Sequence, residues 1–125
     1  MVTPADLLLT ATSIGQLAGT EANIRSAISR YYYAAYHCSH QFHAKLAMPG
    51  QPGRAYGRHN QLISKLANPS PQLPRHLQVS SLAVGRALLS IRNLRIPADY
   101  HLNTTFSSKE LNQAAQLAAT IFALT

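Results

Sequence analysis

The sequence predicts an all-α fold, a bundle of four to five helices. Three observations carry this. No segment alternates apolar and polar residues over five or more positions with β-branched enrichment, so strand signals are nearly absent. Apolar residues recur instead at three-, four- and seven-residue steps, which stack on one face of a helix. Pro- and Gly-rich breakers and side-chain caps divide the chain into helix-sized pieces. At 125 residues and 46% apolar, residues 1–125 suit one domain with a real core; no repeat is visible.

Each element has its own signal. Thr3-Pro4-Ala5-Asp6 supplies a cap, a Pro at the first helical position and an acid in the first turn, so a helix is expected to about Leu17, ended by Gly19. Thr20 caps a second helix with Glu21 in its first turn, and Ile24, Ile28, Tyr31, Ala35, Phe42 and Leu46 mark its apolar face. This long helix is expected to be the backbone of the fold. Met48-Pro49-Gly50-Gln51-Pro52-Gly53 then predicts a mobile surface loop, followed by a short helix near Arg58 to Leu66. After the Asn68-Pro69-Ser70-Pro71 breaker, Leu77, Leu82, Val84, Leu88, Leu89 and Ile91 predict a helix to about Leu94 or Arg95, closed by Pro97. Ser107 and Glu110 form a capping-box pair, and an Ala-rich helix is expected from Ser108 to about Leu124.

Charge narrows the function classes. Eleven Lys and Arg against four Asp and Glu give +7 and a pI near 10.1. Between Ala22 and Ser108 ten basic residues, eight of them Arg, face one acid, Asp99. That bias favours a polyanionic partner, because the planar guanidinium suits bidentate phosphate contact. The alternative is a basic surface that serves solubility alone. The single Cys38 excludes an internal disulfide or a thiolate metal cage. The opening residues lack a basic n-region and an apolar h-region, and no stretch approaches the ~20 apolar residues of a membrane span, so a cytoplasmic protein without membrane contact is expected.

Three clusters bear function-capable side chains. Within Arg30-Tyr31-Tyr32-Tyr33-Ala34-Ala35-Tyr36-His37, helical spacing puts Tyr31 on the apolar stripe and Arg30, Tyr33 and His37 on a neighbouring face, where they line a cleft or pack on a partner helix. Aromatic packing with hydroxyls at the rim is the structural alternative. His37, His40 and His43 spread over about 120° of the helix, too widely for three to share a metal, and no nearby acid completes a ligand set; no metal or cofactor is expected. In Arg92-Asn93-Leu94-Arg95-Ile96-Pro97-Ala98-Asp99-Tyr100-His101, Arg95 is expected in the last helical turn, with Asp99, Tyr100 and His101 in a loop that turns back toward it. An Arg and a His so placed suit phosphodiester chemistry: the imidazole moves the 2′-hydroxyl or leaving-group proton while the guanidinium neutralises the phosphate. Alternatively, Asp99 pairs with Arg92 or Arg95 and fixes the loop.

These residues resemble the HEPN domains of prokaryotes, small helical bundles of toxin–antitoxin and anti-phage systems. Glu21 followed by the run from Arg25 to His37 looks like the family's long signature helix. Gly57-Arg58-His59-Asn60-Gln61-Leu62-Ile63 looks like the helix start after its variable loop, and Arg95-Ile96-Pro97-Ala98-Asp99-Tyr100 like the R-x-x-A-D-Y form of its final motif. The resemblance implies a HEPN-like bundle and a metal-independent endoribonuclease, usually with an Arg and a His from both subunits of a homodimer. Arg95 would then stabilise the phosphate and His101 act as general base or acid, with Asp99, Tyr100, Arg92 and Asn93 in support. Implied partners are RNA, a second copy and an antitoxin of nucleotidyltransferase type, for which Tyr100 is the candidate modification target. The other reading is a non-catalytic HEPN module that binds RNA, a nucleotide or a protein through a basic cleft. The RNA-contacting residues expected are Arg30, Tyr33, His37, Arg58 and His59.

Overall fold

The computed structural model describes every residue from Met1 to Thr125. It holds five helices and no strand: α1 (Pro4–Gln16), α2 (Glu21–Ala44), α3 (Arg58–Ala67), α4 (Arg75–Tyr100) and α5 (Ser108–Leu124). Three of them start where a side chain supplies the missing turn. Thr3 and Asp6 close a capping box at α1, Thr20 Oγ1 accepts from the Asn23 N–H at α2, and Ser107 and Glu110 close a second box at α5. Each such cap is worth about 1 kcal/mol, so local chemistry places these three starts.

Packing follows from the apolar stripes. α1 and α2 form an antiparallel hairpin in which the Tyr31 hydroxyl donates to Thr12 Oγ1 at 3.2 Å. α4 runs antiparallel to α2 and α5 returns beside both, which sets Phe106 against Glu21 at one end and Thr125 against Cys38 at the other. α3 meets α2 through the His59 ring and lies along the first half of α4. Gly85 allows that approach, since a Cβ there would stand 3.0 Å from Leu66 Cβ. Ile28, Tyr32, Leu66, Val84, Leu88, Ile91 and Ile121 are fully buried between the layers. Each contributes about 1.5–3 kcal/mol by leaving water.

Two sequence expectations are corrected here. The Pro/Gly loop after α2 leaves the surface at one point: Gly50 is buried, its N–H donates to His43 Nε2 at 3.1 Å, and the Gln51 N–H donates to the Asn68 carbonyl at 3.0 Å. A side chain at Gly50 would collide with the Lys65 carbonyl, so only glycine fits this approach. Second, α4 does not close at Pro97 but continues to Tyr100. Arg25 explains why. Its Nη1 donates to the carbonyls of Pro97, Ala98 and His101 at 3.0–3.1 Å, its Nη2 to those of Thr104 and the Glu21 carboxylate, and its guanidinium lies 4.8 Å from the Phe106 ring centre. A helix leaves its last carbonyls unpaired and its C-terminus partly negative, and one buried guanidinium answers both. Smaller departures are Leu46, which falls beyond α2, and Leu89, which faces solvent on α4.

Candidate functional site

Of the residues expected to face a ligand, Arg30, Tyr33, His37, Arg58, Arg95, Asp99 and Tyr100 fall around two cavities beside α2, and His59, Arg92, Asn93 and His101 line neither. The first, about 750 Å³, lies between α2 and α4 and is bounded by Ser26, Ser29, Arg30 and Tyr33 on one side and Arg95 and Asp99 on the other. The second, about 410 Å³, lies between α2 and α3 and gathers His37, His40, His43, Arg58 and Lys65 over a floor of Tyr36 and Leu62. No carboxylate lines the second cavity, and Asp99 is the only one in the first.

Arg95 is held rigidly at the first cavity. Its Nη2 donates to the Tyr33 hydroxyl at 2.9 Å and the Tyr100 hydroxyl at 3.3 Å, and its Nε lies 2.7 Å from Asp99 Oδ2 as an ion pair without directed N–H alignment. The guanidinium carbon stands 5.5, 5.3 and 5.2 Å from the ring centres of Tyr32, Tyr33 and Tyr100, within cation–π range. Burial works against its charge, but Tyr33, Asp99 and Tyr100 outweigh that and hold its pKa above the ordinary value. Nη1 has no protein partner and is the nitrogen left for a ligand. Ser29 Oγ donates to Asp99 Oδ2 at 3.1 Å, fixing the carboxylate from α2. Of the two structural options for Asp99, the pair with Arg95 is the one formed.

His59, on α3, packs against the tyrosines of α2. Its ring stacks 4.1 Å from that of Tyr36 and 5.6 Å from that of Tyr32, and Nδ1 makes a short hydrogen bond with the Tyr32 hydroxyl. Burial, then Arg95 and Arg92, lower the imidazole pKa; burial pushes the Tyr32 phenol up to about 12. Both groups are neutral near pH 7, so the ring nitrogen of His59 that carries the proton sets which of the two donates. Sequence reasoning missed this stack, although the Tyr32/Tyr36 pair four residues apart on α2 was a signal for it.

His101 stands apart. It ends α4, its carbonyl accepts from Arg25, and its exposed imidazole makes no hydrogen bond and lines neither cavity. Asp99 and Tyr100 reach Arg95 from within the helix, at i+4 and i+5, rather than from a loop. One chain therefore does not bring Arg95 and His101 together. Arg92 is half-buried near the His59–Tyr32 pair, and Asn93 is exposed on the outer side of α4.

All four carboxylates are committed internally. Asp6 and Glu110 serve capping boxes, Glu21 binds Arg25 and the Phe106 N–H, and Asp99 holds Arg95. With two ion pairs among eleven Lys and Arg, nine cations have no acidic partner. His43 Nε2 is occupied by the Gly50 N–H, and no three His, Cys, Asp or Glu side chains converge as metal ligands. No helix is long and apolar enough to cross a membrane. Compared with family models, curated proteins and solved structures, the chain matches none.

Proposed function

We propose that this protein is an RNA-binding module of HEPN type, which takes the phosphate backbone through the basic cavities beside α2. The observation that carries this reading is the charge arrangement: every side-chain carboxylate is used inside the fold, while Arg30, Arg58 and Lys65 stand unpaired around cavities whose one acid is already neutralised. Neutralising phosphates releases condensed counterions, so such a surface binds polyanions with a strong salt dependence. Tyr33 and Tyr100 add ring surface for base stacking beside the guanidinium of Arg95. The R-x-x-A-D-Y and long-helix resemblances agree with this reading. It is tested by RNA binding at two salt concentrations. Arg58→Ala with Lys65→Ala should weaken binding at least tenfold, and a double variant that binds as the parent does would sink the assignment.

A second reading, a homodimeric endoribonuclease toxin, is favoured by one observation. The His101 imidazole is exposed and free of hydrogen bonds at the same end of α4 as Arg95, so pairing of that end between two copies brings an imidazole from one to a guanidinium of the other. In that chemistry His101 takes the 2′-hydroxyl proton, the oxygen attacks phosphorus, the P–O5′ bond breaks, and the imidazolium returns the proton to the leaving oxygen. The products are a 2′,3′-cyclic phosphate and a 5′-hydroxyl. Arg95 would stabilise the phosphorane through Nη1. Cleavage of an RNA pool in EDTA, abolished by both Arg95→Ala and His101→Ala, is the expected result for this reading; unchanged cleavage by His101→Ala would remove it. An antitoxin partner and Tyr100 as its target belong to this reading alone.

A further inference from the structure

The two cavities border one face of α2. Asn23, Ser26, Arg30, Tyr33, His37 and His40 occupy about 100° of the α2 circumference, opposite the stripe that packs into the core. Asn23 to Tyr33 border the α2–α4 cavity, and His37 and His40 border the α2–α3 cavity. One flank of this face is α4, from which Arg95 reaches the first cavity, and then α3, whose His59 ring meets Tyr33 edge-on. The other flank is α1: Ile14 lines the Asn23 end, and Val2, Pro4 and Leu7 line a further cavity at the His37 and His40 end. The side chains of α1 carry no unpaired charge, since its one acid closes the Thr3 capping box. The result is a floor of polar and cationic side chains with an apolar wall on one side and a cationic wall on the other.

We infer that this face of α2 holds one strand of RNA along its whole length, rather than a phosphate at either cavity alone. The inference rests on the RNA-binding reading and adds its extent and strandedness. Asn23 to His40 spans about 25 Å at the helical rise. That is about seven nucleotides at the 3.4 Å spacing of a stacked strand, fewer if the strand is stretched. Arg30 and Arg95 meet phosphates toward one end, and Arg58 and Lys65 toward the other. Tyr33, in edge contact with the His59 ring at 6.4 Å between centres, and Tyr100, 64% exposed, offer aromatic surface to unstacked bases. A duplex buries its base faces and forgoes that contact, which is why a single strand is the occupant.

The test is fluorescence anisotropy with 2′-O-methyl oligoribonucleotides of 3, 5, 7, 9 and 12 residues and a 12-base-pair duplex, all refractory to 2′-hydroxyl attack. Affinity should rise at least thirtyfold from 3 to 7 residues and less than threefold from 7 to 12, with the duplex at least tenfold weaker than the 12-mer. Arg30→Glu and Lys65→Glu, at opposite ends, should each weaken the 9-mer at least tenfold and leave the 3-mer within threefold. Arg86→Glu, the same charge change on α4 outside every cavity, should leave the 9-mer within threefold. Affinity independent of length, or a duplex that binds as tightly as the single strand, would overturn the track while keeping RNA binding. No binding at any length in low salt would overturn both.

Discussion

Arg25 commits its donors to backbone carbonyls, and its position inside the family-like run Arg25–His37 disguises that role. It is buried, and four carbonyls from Pro97 to Thr104 depend on it. Arg25→Met keeps much of the apolar stem and removes every donor, so unfolding stability should fall by about 2–4 kcal/mol, read by urea denaturation. Arg25→Lys should recover little, because one ammonium does not span the same set. A Met variant as stable as the parent would refute the cap. His59 gives a pH dependence whose sign is set by its neutral state. Its folded pKa lies below the ordinary 6.5, so below pH 6.5 the unfolded chain binds the proton first. The His59 contribution to stability is therefore complete above pH 6.5 and is lost as pH falls through the folded pKa. His43, lowered by burial and then by Lys65 and His40, adds in the same direction. His59→Phe keeps a ring in the stack and should flatten the stability slope between pH 6.5 and 5; an unchanged slope would assign it to His43 alone.

Among the elements, α4 decides how the site is built, and Pro97 is its anomaly. A proline inside a helix removes one N–H and crowds the carbonyl four residues back, here that of Asn93. α4 still continues, with the His101 N–H donating to the Pro97 carbonyl at 3.0 Å and Arg25 binding the same oxygen from α2. Pro97→Ala should therefore stabilise the protein by about 1–2 kcal/mol, with RNA affinity unchanged. A loss of stability would mean that the proline bend aims the last carbonyls at Arg25. This element also marks the boundary of what the sequence made legible. The starts of α1, α2 and α5 were readable because Thr3, Thr20 and the Ser107–Glu110 pair act within four residues of themselves. The end of α4 was not, because what carries the helix past Pro97 is a guanidinium 72 residues away. The site divides in the same way. Arg30, Tyr33 and His37 share a face by helical spacing alone, whereas the His59 stack and the Ser29–Asp99 bond depend on how α3 and α4 dock on α2.

At the scale of the whole molecule, the surplus of cations acts on folding and on binding with opposite signs. Nine Lys and Arg without acidic partners repel one another across a small bundle, and that repulsion is present only weakly in the expanded unfolded chain. Salt screens it, since the Debye length contracts from about 30 Å at 0.01 M to about 8 Å at 0.15 M. The free protein should therefore melt several degrees higher at 150 mM than at 10 mM NaCl. RNA binding should move the other way, because salt restores the counterion atmosphere that phosphate contacts displace. For a single strand contacted at about five phosphates, log affinity should fall with log salt at a slope of about −3.5. Thermal melts of the free protein and anisotropy titrations of a 9-mer, run in the same buffers, check both signs. A melting temperature that falls with salt would mean that the cations are paired in solution, and the polyanion reading would lose the charge surplus on which it stands.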